Sequence, residues 1–231
     1  MCTALDRGVY IHDMRSRSNL AKTILTNKSS CLDWNPMEPF NFLCGNEDSN
    51  IYGFDLRKMD TVKNIYKDHI GAVMSIDHSP TGKQFVSGSF DKTVKIFNVD
   101  KGFSVETYHG KRMQKVFSVL WSLDNNYIFS GSEDTNIRVW KAVSDRKVGE
   151  LSQREQNARN YRDTLLKKFK YTDEIKKIKK THLPKYILNA KKRKQIQKES
   201  QYKKIENMRI NNEEVFDEPL PEKQKKIINT E

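Results

Sequence analysis

The sequence predicts an all-β propeller fragment, with three full blades plus a partial one, followed by an α-helical basic tail. Three observations carry this prediction. Glycine, aspartate and an aromatic recur every 43 residues, at Gly45, Gly88 and Gly131, at Asp48, Asp91 and Asp134, and at Phe54, Phe97 and Trp140. Such a period marks a fold assembled from stacked supersecondary units. All ten glycines, three tryptophans and three cysteines lie in residues 1–149. Charge divides the chain as well: residues 154–209 hold 19 basic and 6 acidic groups, whereas residues 1–149 hold 20 and 17. Composition therefore separates a partial propeller at 1–149, a basic helical tail at 150–210 and an acid-leaning C-terminus at 211–231.

The blades follow in order. A partial copy, DRGVYIHD from Asp6 to Asp13, aligns with DSNIYGFD 42 residues further on. Full copies contain GNEDSNIYGF, GSFDKTVKIF and GSEDTNIRVW. Each reads as strand, tight turn, strand, because Gly tolerates positive φ and Asp hydrogen-bonds its own backbone. The turn Ser79-Pro80-Thr81-Gly82 joins Val73–His78 to the next strand. With one more strand before the next copy, this makes a blade of four antiparallel strands. A ring needs about four to eight blades, so the expectation is an open fragment whose parent has further N-terminal blades.

In the tail, Ser152-Gln153-Arg154-Glu155 matches a capping box and predicts a helix start. Ala158, Tyr161, Leu165 and Phe169 then form one apolar stripe. Tyr161, Leu165 and Phe169 are the expected anchors, packing on the propeller or on a partner protein. Thr172 is placed to cap a short second helix, and Pro184 to open a third that runs through Lys191-Lys192-Arg193-Lys194. That helix is so polar that it needs a partner. Residues 211–231 read as disordered. The net +13 over 154–209 is the electrostatic footprint of a nucleic-acid binder, with Arg154, Arg159, Arg162, Lys191, Lys192 and Arg193 as candidate phosphate contacts. A nuclear-localisation run or a merely solvated face are the alternatives for the same residues.

Function classes fall away quickly. Across 231 residues, 36% are hydrophobic, 31% are charged and the net charge is +12. No apolar run approaches the ~18 residues of a spanning helix, and no secretory signal is legible. Cys2, Cys31 and Cys44 have no CxxC spacing, which argues against a disulfide framework or thiolate zinc site. A soluble protein of the cytosol or nucleus is the expectation. Five histidines, at 12, 69, 78, 109 and 182, tempt a catalytic reading, but Asp77, His78 and Ser79 are strand neighbours facing alternate sides. There is no phosphate-binding glycine loop and no metal-ligand spacing. The sequence predicts a non-catalytic protein without a cofactor.

The repeats resemble WD-repeat propellers. That resemblance implies a buried His–Ser–Asp–Trp network: His109, Ser130, Asp134 and Trp140 in the last blade, and His69, Ser87 and Asp91 in the middle one, where Phe97 replaces Trp. In the first copy, with Phe54 and no matching His, apolar packing takes its place. Trp34, Trp121 and Trp140 are expected in the core. Further strings are similar to the C-terminal half of the suppressor-of-fibrillarin family: WNPME, SPTGK, SFDK, the loop with Lys111, Arg112 and Gln114, SQRE, NYRDTLLKKF and HLPKYI. This resemblance implies a nucleolar scaffold of the small-subunit processome. Its implied partners are processome proteins, the U3 small nucleolar ribonucleoprotein, and pre-ribosomal or small nucleolar RNA. Asp13 with Arg15, and Asp55 with Arg57, resemble the box by which some WD proteins dock on a cullin-type ubiquitin-ligase adaptor, with His12 and Phe54 where the box has Trp.

Overall fold

The computed structural model describes residues 2–3, 7–144, 149–178, 183–211 and 219–230. Fourteen strands run through the first part: β1 (Cys2–Thr3), β2 (Gly8–His12), β3 (Asn19–Leu25), β4 (Ser29–Trp34), β5 (Asn41–Asn46), β6 (Ile51–Asp55), β7 (Asn64–Tyr66), β8 (Val73–His78), β9 (Gln84–Ser89), β10 (Val94–Asn98), β11 (Ser104–Tyr108), β12 (Val116–Trp121), β13 (Tyr127–Ser132) and β14 (Ile137–Lys141). The tail forms α1 (Gln153–Lys168), α2 (Asp173–Ile178) and α3 (Lys185–Asn211), then returns as β15 (Ile227–Thr230). Three sheets are sequential meanders, β4 to β7, β8 to β11 and β12 to β14; the first runs β1-β2-β3-β15. The predicted WD-propeller fragment with a helical tail is what the chain forms.

The repeat is visible in backbone geometry. Arg7, Ser49, Lys92 and Thr135 have φ of 71°, 71°, 64° and 62°. These are matching turn positions of the four copies, the partial one included. A left-handed residue there lets a short hairpin follow the strand twist. Innermost strands β4, β8 and β12 each carry a register shift near their start, the mark of a bulge that sharpens local twist. Those strands pack in series, β4 on β8 and β8 on β12. The backbone N–H of His78 donates to Asp33 Oδ2 at 2.7 Å, and that of Trp121 to Asp77 Oδ2 at 2.5 Å. The second, third and fourth sheets are thus tied in series, each to the next through one carboxylate.

The core lies between blades. Val9, Ile11 and Leu25 meet Phe42, Cys44, Tyr52 and Phe54; Leu43, Ile51 and Tyr66 meet Val73, Ile76, Phe85 and Phe97; Val86, Val94 and Ile96 meet Met113, Val116, Val119 and Trp121. Beyond the fourth sheet this pattern stops. Ile51 and Val94 are 0% exposed, whereas Ile137, at the same repeat position, is 78% exposed. The outward strand β14 thus leaves Ile137 and Val139 uncovered.

Two sequence expectations need correction here. The composition predicts disorder for 211–231, yet among its described residues the chain turns at 222–226 and then forms β15, the outermost strand of the first sheet. Composition misses this because the strand gains its backbone hydrogen bonds from an edge, β3, that is remote in sequence. Trp34 is not core: it is 38% exposed at the end of β4, tilted on Phe42 with ring centroids 5.3 Å apart. Trp121 is buried, and Trp140 is half-buried against Tyr108.

Candidate functional site

The middle blade carries the most connected polar network. Asp91 opens the β9–β10 turn, where its Oδ1 accepts from Thr93 N–H (3.0 Å) and its Oδ2 from Ile70 N–H (3.2 Å). His69 bridges Asp91 Oδ2 at 2.8 Å through Nδ1 and Ser87 Oγ at 2.7 Å through Nε2. Burial alone would raise the Asp91 carboxyl; His69 and the Thr93 hydrogen bond outweigh it and hold the group well below the usual carboxylate range. An ionised carboxylate only accepts, so the His69 Nδ1–H donates to it. Gly71 is required beside this site, because a Cβ there would meet Asp91 N at 2.8 Å.

Next to His69, Asp68 is shared by three donors. Lys95, fully buried, reaches its Oδ2 at 2.8 Å. Ser104 Oγ and Lys191 Nζ also donate to it. Burial pushes the Asp68 carboxyl up, but Lys95 and the bonds from Lys191 and Ser104 overcome that and keep it well below its ordinary value.

Lys191 belongs to the tail, and its contact shows how α3 docks. Pro184 precedes the helix, and its carbonyl accepts from Ile187 N–H at 3.1 Å. Tyr186 donates its hydroxyl to the Asp91 carbonyl at 2.6 Å. Ile187 is completely buried, and Lys194 donates to Ser49 Oγ at 2.6 Å. Ile187, Lys191 and Lys194 lie at i, i+4 and i+7, one face of the helix. The polar helix finds its partner in its own propeller. Lys191, one of the candidate phosphate contacts, has its ammonium paired with Asp68. A basic run looks the same in sequence whether it faces solvent or an acid. The i, i+4, i+7 pattern of Ile187, Lys191 and Lys194 is the signal that could have separated the two.

The remaining basic candidates face outward: Arg154, Arg159 and Arg162 on α1, Lys192 and Arg193 on α3. The Ser152–Glu155 capping box is present on α1. None of α1's residues is buried, so the stripe does not pack on the propeller; Tyr161 and Phe169 are 68% and 50% exposed and Leu165 is partly covered. Lys111 and Arg112 are exposed, while Gln114 accepts from Lys92 Nζ at 2.6 Å.

The other blades vary the network. In the last, Trp140 Nε1–H donates to Ser130 Oγ at 2.8 Å, Asp134 is clasped by Arg138, and His109 is half-buried. In the second sheet, Phe54 stacks on Phe42 at 5.4 Å, and Asp48 takes the Tyr52 hydroxyl at 2.5 Å. At the D-x-R pairs, Asp13 Oδ1 accepts from Arg15 N–H and Asp55 Oδ1 from Arg57 N–H, both at 3.0 Å. Arg57 also grips both Asp55 oxygens at 3.2 Å and lies 4.6 Å over the Phe40 ring. His182 lies outside the described residues. Among the described residues no three His, Cys, Asp or Glu side chains group as metal ligands, and no helix is long and apolar enough to cross a membrane.

Comparison with known proteins places this geometry in context. A Sof1-like domain family matches residues 142–227, and the WD domain, G-beta repeat, matches 60–98 and 102–141. The chain is 43% identical over 226 residues to DDB1- and CUL4-associated factor 13 of Danio rerio, covering 97% of the chain and 51% of that protein. To the protein of the same name in Homo sapiens it is 45% identical, again over 97% and 51%. Protein SOF1 of Saccharomyces cerevisiae is 38% identical over 99% of the chain and 46% of its own length. The chain thus spans about half the length of the curated relatives it matches.

Proposed function

Because the chain belongs to the WD-repeat proteins that carry a Sof1-like domain, we propose that it serves as a non-catalytic scaffold in small-subunit ribosome biogenesis, in the nucleolus. It holds processome proteins on its blades and RNA on the outward basic face of its tail. One observation carries this reading: α3 sorts its charges. Lys191 and Lys194 turn inward to Asp68 and Ser49, while Lys192 and Arg193 face solvent. With the exposed Arg154, Arg159 and Arg162 of α1, they are the positive groups the tail offers to phosphates, without sequence choice. The stripe at Tyr161, Leu165 and Phe169, uncovered by the blades, is the protein-binding edge of the same tail. The test is crosslinking of the full-length protein to RNA in cells. Arg154, Arg159, Lys192 and Arg193 changed together to Glu should abolish the crosslinks; undiminished crosslinking would overturn the RNA role.

A second reading concerns ubiquitin-ligase recruitment. The vertebrate relatives are named for association with DDB1 and CUL4, and Asp55 forms an ion pair with the exposed Arg57 at the end of β6. Capture of DDB1 by the full-length protein, lost on Arg15→Ala with Arg57→Ala, would support it. Absence of capture by the unaltered protein removes it.

A further inference from the structure

Where the returning C-terminal segment crosses α3, it closes a cleft of about 290 Å³ against the propeller. The walls come from three stretches remote in sequence: 48–67, 194–201 and 222–226. Five lysines line it, Lys67, Lys194, Lys198, Lys225 and Lys226, against two acids, Asp48 and Glu222. Three of the five are held in place. Lys67 pairs with Glu222, Lys226 with Asp48 at 3.3 Å, and Lys194 is hydrogen-bonded to Ser49 Oγ. Among the described residues neither Lys198 nor Lys225 has a carboxylate within ion-pair distance; both act on Glu222 only from further off, behind its partner Lys67. The cleft therefore holds a surplus of three positive charges on a preorganised wall, an arrangement that costs repulsion unless an anion is present. Lys194 registers that cost: burial, then its neighbours Lys198, Lys67 and Lys226, draw its pKa down, and Asp48 only partly offsets them.

We propose that this cleft is a binding site for a ligand bearing two or more phosphate groups, held by Lys194, Lys198 and Lys225. The phosphates can belong to a free polyphosphorylated molecule or to successive phosphodiesters of an RNA strand. In the second case the site extends the RNA-scaffold reading; in the first it stands without it. Lysine suits this task, as a mobile point charge that meets phosphate oxygens without demanding a single geometry.

The test is calorimetric titration of the 231-residue chain with tripolyphosphate and, separately, with a single-stranded uridine octamer. Saturable binding of either supports the site, and which one binds identifies the source. Lys198→Ala with Lys225→Ala should weaken that binding at least about tenfold. Lys192→Ala with Arg193→Ala, on the outer face of α3, should leave tripolyphosphate binding within about twofold. An independent readout uses no variant: bound tripolyphosphate or octamer should shield Lys194, Lys198 and Lys225 from an amine-acylating reagent. No saturable binding, no shielding, or an equal loss of tripolyphosphate binding in the outer-face variant overturns the proposal. Loss of octamer binding only in the outer-face variant overturns the cleft while leaving the RNA scaffold intact.

Discussion

The hydroxyl of Tyr186 donates to the carbonyl of Asp91, 95 residues earlier in the chain, at 2.6 Å. It is the point at which the tail touches the turn whose carboxylate His69 and Thr93 organise. With Ile187 buried beside it, this contact makes the tail part of the propeller's structure. Tyr186→Phe should cost about 1 kcal/mol, the usual net worth of such a bond. Ile187→Ala should cost about 2–5 kcal/mol, for burial and for the cavity left behind. Amide exchange in α3 should quicken in both, and more in the second. Unchanged exchange in Ile187→Ala would show that α3 is not docked.

Asp68 predicts an acid limit on stability. Its folded pKa lies below its unfolded value, about 3.9 for a free Asp. The stabilisation it supplies is therefore present above that unfolded value and is lost as pH falls through the folded one. Asp91 is shifted the same way and adds to the effect. Asp68→Asn should destabilise by about 3–5 kcal/mol at neutral pH, because Lys95 is left buried without its counter-charge. It should also flatten the acid side of the stability profile below about pH 4, measured by urea unfolding at stepped pH.

Thr135 stands at a left-handed turn position, φ 62°, where a β-branched residue is strained. Thr135→Gly should stabilise the chain by about 1 kcal/mol, the order of the Cβ penalty removed. Thermal melting checks this, and a fall in melting temperature contradicts it.

Ile137 and Val139 are 78% and 58% exposed on the fourth sheet. Apolar strand faces of this kind promote association. The chain should self-associate with rising concentration in light scattering, and Ile137→Lys with Val139→Lys should suppress this without changing the circular dichroism. Val94→Lys, at the matching buried position, should instead unfold the third sheet. A monomer at all concentrations would contradict the inference.

The repeat was legible because its causes are local. Gly88, Asp91 and Phe97 each meet a steric or hydrogen-bonding demand of one turn or one strand, and those demands recur every 43 residues. The capping box at Ser152 and the helix start after Pro184 were legible for the same reason. The use of the tail's charges was not. Lys191 and Lys192 are adjacent and chemically alike, yet only Lys191 turns toward Asp68, a consequence of helix rotation against a surface built 123 residues earlier. β15 and the lysine cleft escaped for that reason too, since a paired edge and a shared wall exist only once distant segments meet. The sequence by itself determined that the blades would form and that the tail would be helical and positive. Tertiary structure alone decided which of those charges are spent inside the fold and which remain for a partner, because a charge's role depends on what lies across from it.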